Sequence, residues 1–192
     1  MLLHQQFVRM AKKHAKKLAI IDKTTGKSVT YSKALIGALI LRSKFRKYDK
    51  GFIGIMIPTS AGCALASAAA LLSGRIPVMI NYSTGAEINA RYAQKKCKFK
   101  TIIASKALLD KIGCPVIEGM VMIEDIMTGV TTGDKLKAAL KSLLPVSILL
   151  STLHKGKEDD TAVMLFTSGS EKDPKAVPLS HKNIASNIEG FS

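Results

Sequence analysis

The chain has 192 residues, a formal net charge of +15, 47% hydrophobic content and no tryptophan. That much aliphatic material excludes a disordered polymer and allows the core of one ordinary domain, built with few aromatics. Three cysteines, Cys63, Cys97 and Cys114, form an odd set with no C-x-x-C pair, and His4, His14, His154 and His181 lack metal-ligand spacing. This argues against a disulfide framework or a zinc site and fits a reducing cytosol.

The charge is uneven. Residues 1–50 carry 13 Lys/Arg against two Asp/Glu, a net +11, and the remainder carries +4. Such a block suits an acidic partner or an anionic membrane surface, with a solvated helix face as the plain alternative. No interleaved aromatic pattern or recognised motif points to nucleic acid. The first residues are basic and amphipathic without an apolar h-region, so no secretory signal peptide is read.

Residues 5–19 read as an amphipathic helix with Phe7, Ala11, Ala15 and Leu18 on one stripe and Lys12, Lys13, Lys16 and Lys17 mostly elsewhere. Packing as a first helix on a domain is the main reading, and a membrane-surface helix the alternative. Short strands at 19–21 and 28–31 flank a turn at 24–27. A helix follows with Ser32 as its cap and Leu35 and Leu39 facing a core. Residues 51–74 carry no charge, which raises the question of a membrane span. Pro58, Thr59 and Ser60 break that run in its middle. The better reading is a buried strand at 52–57, a helix at 61–72 with Gly74 as its C′ glycine, and a strand at 76–80. This is a strand–helix–strand unit of the kind that builds parallel sheets.

A second unit has a helix at 86–96, a strand at 101–104 and a short helix at 106–112. Another short strand lies within 116–123. Residues 133–144 are amphipathic, with Leu136, Ala139, Leu140, Leu143 and Leu144 at spacings of three and four, and Pro145 stops the helix. Residues 155–160 form a charged surface loop. No internal repeat or low-complexity tract occurs.

Residues 161–183, TAVMLFTSGSEKDPKAVPLSHKN, carry the most chemistry. An apolar run at 162–166 reads as a buried strand. It stops at Thr167, Ser168, Gly169 and Ser170, continues through Glu171 and Lys172, and is closed by Pro174 and Lys175. A second short apolar stretch follows, then Ser180 as a helix cap. Small residues let successive N–H groups curl round an anion. The hydroxyls of Thr167, Ser168 and Ser170 add donors, and Lys175 adds positive charge, so the segment reads as a triphosphate cradle. The pattern G-x-x-x-x-G-K-[ST] fails, because counting from Gly169 its second glycine is Pro174 and its Ser/Thr is Ala176. No G-x-G-x-x-G occurs. These are also ordinary turn residues, and a Ser nucleophile paired with Lys172 lacks a G-x-S-x-G elbow.

The segment resembles the phosphate-loop signature of the AMP-forming acyl and aminoacyl adenylate synthetases, roughly T-S-G-[ST]-T-G-x-P-K-G followed by a helix opening Ser-His with an Asn. Thr167, Ser168, Gly169, Ser170, Pro174, Lys175, Ser180, His181 and Asn183 fit, whereas Glu171, Lys172 and Ala176 depart from it. Glu171 after Thr-Ser-Gly-Ser is similar to the acyl-[acyl-carrier-protein] synthetase branch, including the synthetase half of bifunctional acyl-ACP synthetase/2-acylglycerophosphoethanolamine acyltransferases. Residues 19–35, 54–82 and 123–135 resemble further landmarks in family order, the last those of that branch in particular.

The resemblance implies an α/β fold, a layered sheet with parallel strand–helix–strand units. Residues 1–192 would be the amino-terminal, incomplete portion of an AMP-binding synthetase domain, with 167–175 as its phosphate loop. It also implies a reaction: ATP with Mg2+ activates a fatty acid to acyl-AMP, and the acyl group passes to acyl carrier protein or CoA. Site residues carried over are Thr167, Ser168, Gly169, Ser170, Glu171, Lys172 and Lys175, with no catalytic residue and the Mg2+ ligand expected outside this piece. The piece alone is expected to be inactive and prone to self-association. The expected location is cytoplasmic, or peripheral on the inner face of the cell membrane. The alternatives are a stand-alone nucleotide- or phosphate-binding module and a basic membrane-surface protein.

Overall fold

The structure, a computed structural model, describes residues 1–23, 25–167 and 174–190. The amino-terminal helix α1 (Leu3–Lys13) leads into a two-stranded antiparallel hairpin, β1 (Leu18–Asp22) with β2 (Lys27–Thr30). The long helix α2 (Tyr31–Phe45) follows. Strand β3 (Gly51–Met56), helix α3 (Ala61–Leu72) and strand β4 (Arg75–Met79) make the first parallel unit. Helix α4 (Ala86–Cys97) and strand β5 (Ile102–Ala104) complete the second. Helix α5 (Lys106–Ile112), strand β6 (Met120–Met122), and helices α6 (Ile123–Thr128), α7 (Thr132–Leu143) and α8 (Val146–Ser151) follow. The hairpin β7 (Thr161–Phe166) and β8 (Ala176–Ser180) precedes helix α9 (His181–Gly190).

Six strands form one sheet in the order β6-β5-β3-β4-β7-β8, parallel throughout except for the antiparallel β8. This is the α/β fold read from the sequence. The sheet is covered on both faces, as parallel sheets are. Ile53, Ile55 and Ile103 pack on one side against Ala66, Ala69 and Ala70 of α3. Met56, Val78, Ile102 and Ala104 pack on the other against Ala90 and Ala93 of α4. The alternation along β3 and β5 therefore assigns α3 and α4 to opposite faces. Alanine is the residue that lets a helix lie close on a sheet, so an aliphatic core closes without tryptophan. A further apolar layer joins α1, α2, α7 and α8 through Val8, Leu39, Ala138 and Leu149.

Several boundaries differ from the sequence reading, each for a physical reason. The first helix ends at Lys13, and its buried stripe is His4, Val8 and Ala11. The carbonyls of Ala15 and Lys17 accept from the N–H groups of Ser32 and Tyr31 instead of continuing a helix, and Leu18 starts a strand with 55% of its surface exposed. The cap of α2 is Thr30, whose side chain accepts from the Lys33 N–H, and not Ser32. Segment 116–123 contains a three-residue strand and the start of α6. Pro145 stops α7 and also serves as N-cap of α8, just outside the helix, where no intrahelical bond calls for its missing N–H. Of the leucines read at spacings of three and four, Leu136, Leu140 and Leu143 do not face the core, Leu144 at the C-cap packs half-buried against it, and Ala138 is the buried residue of the helix. Strand β7 is buried only at Ala162 and Met164, and its neighbour β8 is the sheet edge.

Other expectations coincide with the structure. Helices α3 and α5 have the bounds read from the sequence. Gly74 has φ +75, and its missing Cβ leaves room for the His154 ring, which lies 2.8 Å from where that atom would be. No helix among the described residues is long and apolar enough to cross a membrane.

Candidate functional site: the cleft beside the β7–β8 loop

The carboxyl ends of parallel strands are where α/β sheets hold ligands, because helix N-termini and loops converge there. Here β4 ends at Met79 and the chain turns into α4, and beside it β7 ends at Phe166. Between them lies a cleft of about 470 Å3, lined by Asn81, Ser83, Asn89, Tyr92, Thr167 and Pro174 among others.

The turn after β4 is held by its own side chains. Asn81 Oδ1 accepts from the Ser83 N–H at 2.9 Å and from the Ser83 hydroxyl at 2.7 Å. The Asn89 amide donates to the carbonyls of Asn81 at 3.0 Å and Thr84 at 2.7 Å. These bonds fasten the first turn of α4 to the end of β4. One turn further along α4, the Tyr92 hydroxyl donates to the Pro174 carbonyl at 2.9 Å. Its ring meets Phe166 edge-on, with centroids 5.9 Å apart, the arrangement favoured by aromatic quadrupoles.

The loop that follows β7 is closed at its base. The Thr167 N–H donates to the Lys175 carbonyl at 3.1 Å, and the Lys175 N–H donates back to Thr167 Oγ1 at 3.0 Å. These bonds extend the β7–β8 ladder by one pair beyond Phe166 and Ala176. Thr167 and Lys175 are both exposed, so the threonine hydroxyl and the lysine chain stand at the rim of the loop. Of the predicted site residues, Ser168, Gly169, Ser170, Glu171 and Lys172 lie outside the described residues. The structure brings Thr167 and Lys175 together.

The sequence carries little signal for Tyr92, Asn81 and Asn89 as site residues: Asn81 falls within the landmark 54–82, and an aromatic on one face of a helix is ordinarily core. The Ser-His-x-Asn element lies at the other end of β8. There the Asn183 N–H donates to Ser180 Oγ at 3.1 Å, and the Ser180 N–H donates to Asn183 Oδ1 at 3.0 Å, a reciprocal cap. His181 is buried, and its Nδ1 accepts from the Leu3 N–H at 3.2 Å. It belongs to a cluster with His4 and His154 at the amino ends of β4 and β7, away from the loop. Among the described residues no group of three or more His, Cys, Asp or Glu could hold a metal ion.

The family described as AMP-binding enzyme matches residues 7–192. A long-chain-fatty-acid–CoA ligase 2 of Schizosaccharomyces pombe is 28% identical over 147 residues, which are 70% of this chain and 20% of that protein. A hybrid PKS-NRPS synthetase, poxE, of Penicillium oxalicum is 45% identical over 47 residues, 24% of this chain and 1% of that protein. The inhibitor-bound N-terminal domain of FACL13 from Mycobacterium tuberculosis superposes with a TM-score of 0.72 at 18% identity, covering 100% of this chain and 48% of that one. The chain thus spans a fifth or less of these two curated relatives and under half of that solved structure.

Proposed function

The chain belongs to the AMP-binding enzyme family, and from that premise we propose that it supplies the phosphate-binding part of an AMP-forming ligase acting on fatty acids. The observation that carries the proposal is the mutual hydrogen bonding of Thr167 and Lys175. It closes the base of a segment of small and polar residues at the carboxyl end of β7, beside a cleft lined by the polar side chains of Asn81, Ser83, Thr84, Asn89 and Tyr92. A polyanion held there would meet the Thr167 hydroxyl and the Lys175 ammonium at the rim. The loop residues Ser168, Gly169, Ser170, Glu171 and Lys172 would complete the cradle.

The chemistry follows from leaving groups. A carboxylate oxygen of the fatty acid attacks the α-phosphorus of ATP, and pyrophosphate departs. A thiol sulfur then attacks the acyl carbon, and AMP leaves with the electron pair of the broken C–O bond. The cradle contributes fixed donors and positive charge to the departing pyrophosphate. Magnesium would neutralise part of the phosphate charge, and none of its ligands is assigned among the described residues.

The fission-yeast ligase, similar over most of this chain, supports an acyl rather than an aminoacyl substrate. Glu171 and the resemblance of 123–135 support acyl carrier protein over CoA as the thiol donor, with the basic first fifty residues as the docking face for an acidic carrier. We place the enzyme in the cytoplasm. The test is Lys175→Ala: fatty-acid-dependent pyrophosphate exchange should fall at least about tenfold, the loss expected for a charge-assisted contact worth about 1.5–3 kcal/mol. Unchanged exchange would refute the cradle. Reversing the charges of Lys12, Lys13, Lys16 and Lys17 should weaken carrier-protein use and spare ATP use; equal loss of both would refute that docking face.

A further inference from the structure

Helix α7 is packed the wrong way round for an ordinary surface helix. Its buried residue is Ala138, while Leu136, Leu140 and Leu143 are 60%, 57% and 74% exposed. Positions i, i+4 and i+7 lie on one stripe, and this stripe points away from α2 and the core. Leaving three leucines in water on a helix that already has an apolar anchor is unfavourable unless something covers them. Ile148 of α8, just beyond Pro145, is exposed as well.

The charges around the stripe share one sign. Lys135 lies to one side of it, Lys137 and Lys141 to the other, and all three are exposed. The only carboxylate on α7, Asp134, is held 2.7 Å from the Lys44 ammonium. At the carboxyl end of α7, Lys12 of α1 donates to the Ser142 carbonyl at 2.7 Å, which brings the basic amino-terminal helix to the same end. α1 and α8 carry no carboxylate.

We propose that the outer face of α7 docks on an anionic lipid surface, the leucines entering the interface and the lysines meeting the headgroups. A leucine stripe flanked by lysines on a twelve-residue helix is the composition of an interfacial helix. The face is a convex ridge, which a fluid bilayer accommodates without a matching groove. A second copy of this chain would bring two lysine-lined ridges together, and three leucines bury far less than the roughly 800 Å2 per partner of a stable dimer. This site is independent of nucleotide binding, because α7 contributes nothing to the cleft between β4 and β7.

The chain has no tryptophan, so one introduced tryptophan reports its own position. Leu140→Trp, with its fold checked by circular dichroism, is mixed with vesicles of phosphatidylcholine plus phosphatidylglycerol and of phosphatidylcholine alone. The emission should shift to the blue with the anionic vesicles only, be quenched by brominated lipid, and revert at high salt. Ile88→Trp, on the exposed side of α4, should show neither change. Replacing Leu136, Leu140 and Leu143 together by serine should lower vesicle co-sedimentation at least about tenfold. Equal quenching at the two positions would overturn the proposal. So would a Leu140→Trp emission already blue-shifted without lipid, which would mean that protein covers the face, or self-association abolished by the serine substitutions in a chain that ignores vesicles.

Discussion

Thr167 and Lys175 hold each other through two hydrogen bonds that use four different groups. The threonine N–H donates to the lysine carbonyl at 3.1 Å, and the lysine N–H donates to the threonine hydroxyl at 3.0 Å. The first belongs to the sheet ladder and any residue can make it. The second needs an oxygen on Cβ, so threonine here shapes the mouth of the loop in addition to offering a hydroxyl. Thr167→Val keeps the β-branched shape and loses that acceptor. A net hydrogen bond contributes about 1 kcal/mol, so the ATP dissociation constant should rise about fivefold. Thr167→Ser should restore it; equal weakening by valine and serine would show that the oxygen is not what matters.

Tyr92 anchors the other side of the loop base. Tyr92→Phe removes the bond to the Pro174 carbonyl and keeps the edge-on contact with Phe166. Tyr92→Ala removes both. The phenylalanine variant should raise the KM for ATP a few-fold with stability within about 1 kcal/mol of wild type, and alanine should cost about 3 kcal/mol or more of stability as well. Urea denaturation and initial-rate kinetics separate the two effects. A phenylalanine variant with unchanged KM would remove Tyr92 from the site.

Arg75 is buried at the start of β4, and its guanidinium is satisfied by main-chain carbonyls. It donates to Asp49 at 3.1 Å, to Ser73 and Arg46 at 3.2 Å each, and to Tyr48. This rigid fork ties the α2–β3 turn to the end of α3. Lysine keeps the charge and cannot reach four carbonyls in those directions. Arg75→Lys should therefore lower stability by about 2–4 kcal/mol, read from the denaturation midpoint, with the ATP dissociation constant little changed because the residue lies at the opposite end of β4 from the cleft.

The two buried imidazoles, His4 and His181, make stability depend on pH. His4 donates from Nε2 to the His154 carbonyl at 3.0 Å, and its Nδ1 is buried without a partner among the described residues. Burial holds His4 below the ordinary imidazole value of 6.5, partly offset by the bond to the His154 carbonyl, with the charge of the His154 ring a smaller lowering influence. Burial and His4 do the same to His181, partly offset by Asp160. A folded value below the unfolded one means that the unfolded chain binds more protons as the solution becomes acidic. The stability is complete above about pH 6.5 and falls as pH drops below it. The urea midpoint should decline as pH drops from about 6.5 to 5, and His4→Leu should flatten that decline. An equally steep profile in the variant would assign the dependence to other groups.

Much of this protein was legible in its order of residues. The parallel units could be read because a β-rich run, a capping serine, an alanine-rich run and a glycine follow one another in 52–74, and each acts through local geometry that needs no partner. Ser60 does cap α3, accepting from the Cys63 N–H. The expectation of a phosphate loop at 167–175 rests on the same kind of local signal, since wrapping an anion demands small residues in sequence, and of that segment the structure describes the pairing of Thr167 with Lys175. What could not be read were facts about neighbours. Periodicity states that α7 has an apolar side, and only the fit of Ala138 against α2 decides that the leucines face outward. Tyr92 and Pro174 are 82 residues apart, and they meet only because parallel pairing places β4 and β7 side by side. Local preferences act along the chain, whereas a site between two strands exists only once the sheet order has brought distant segments into contact.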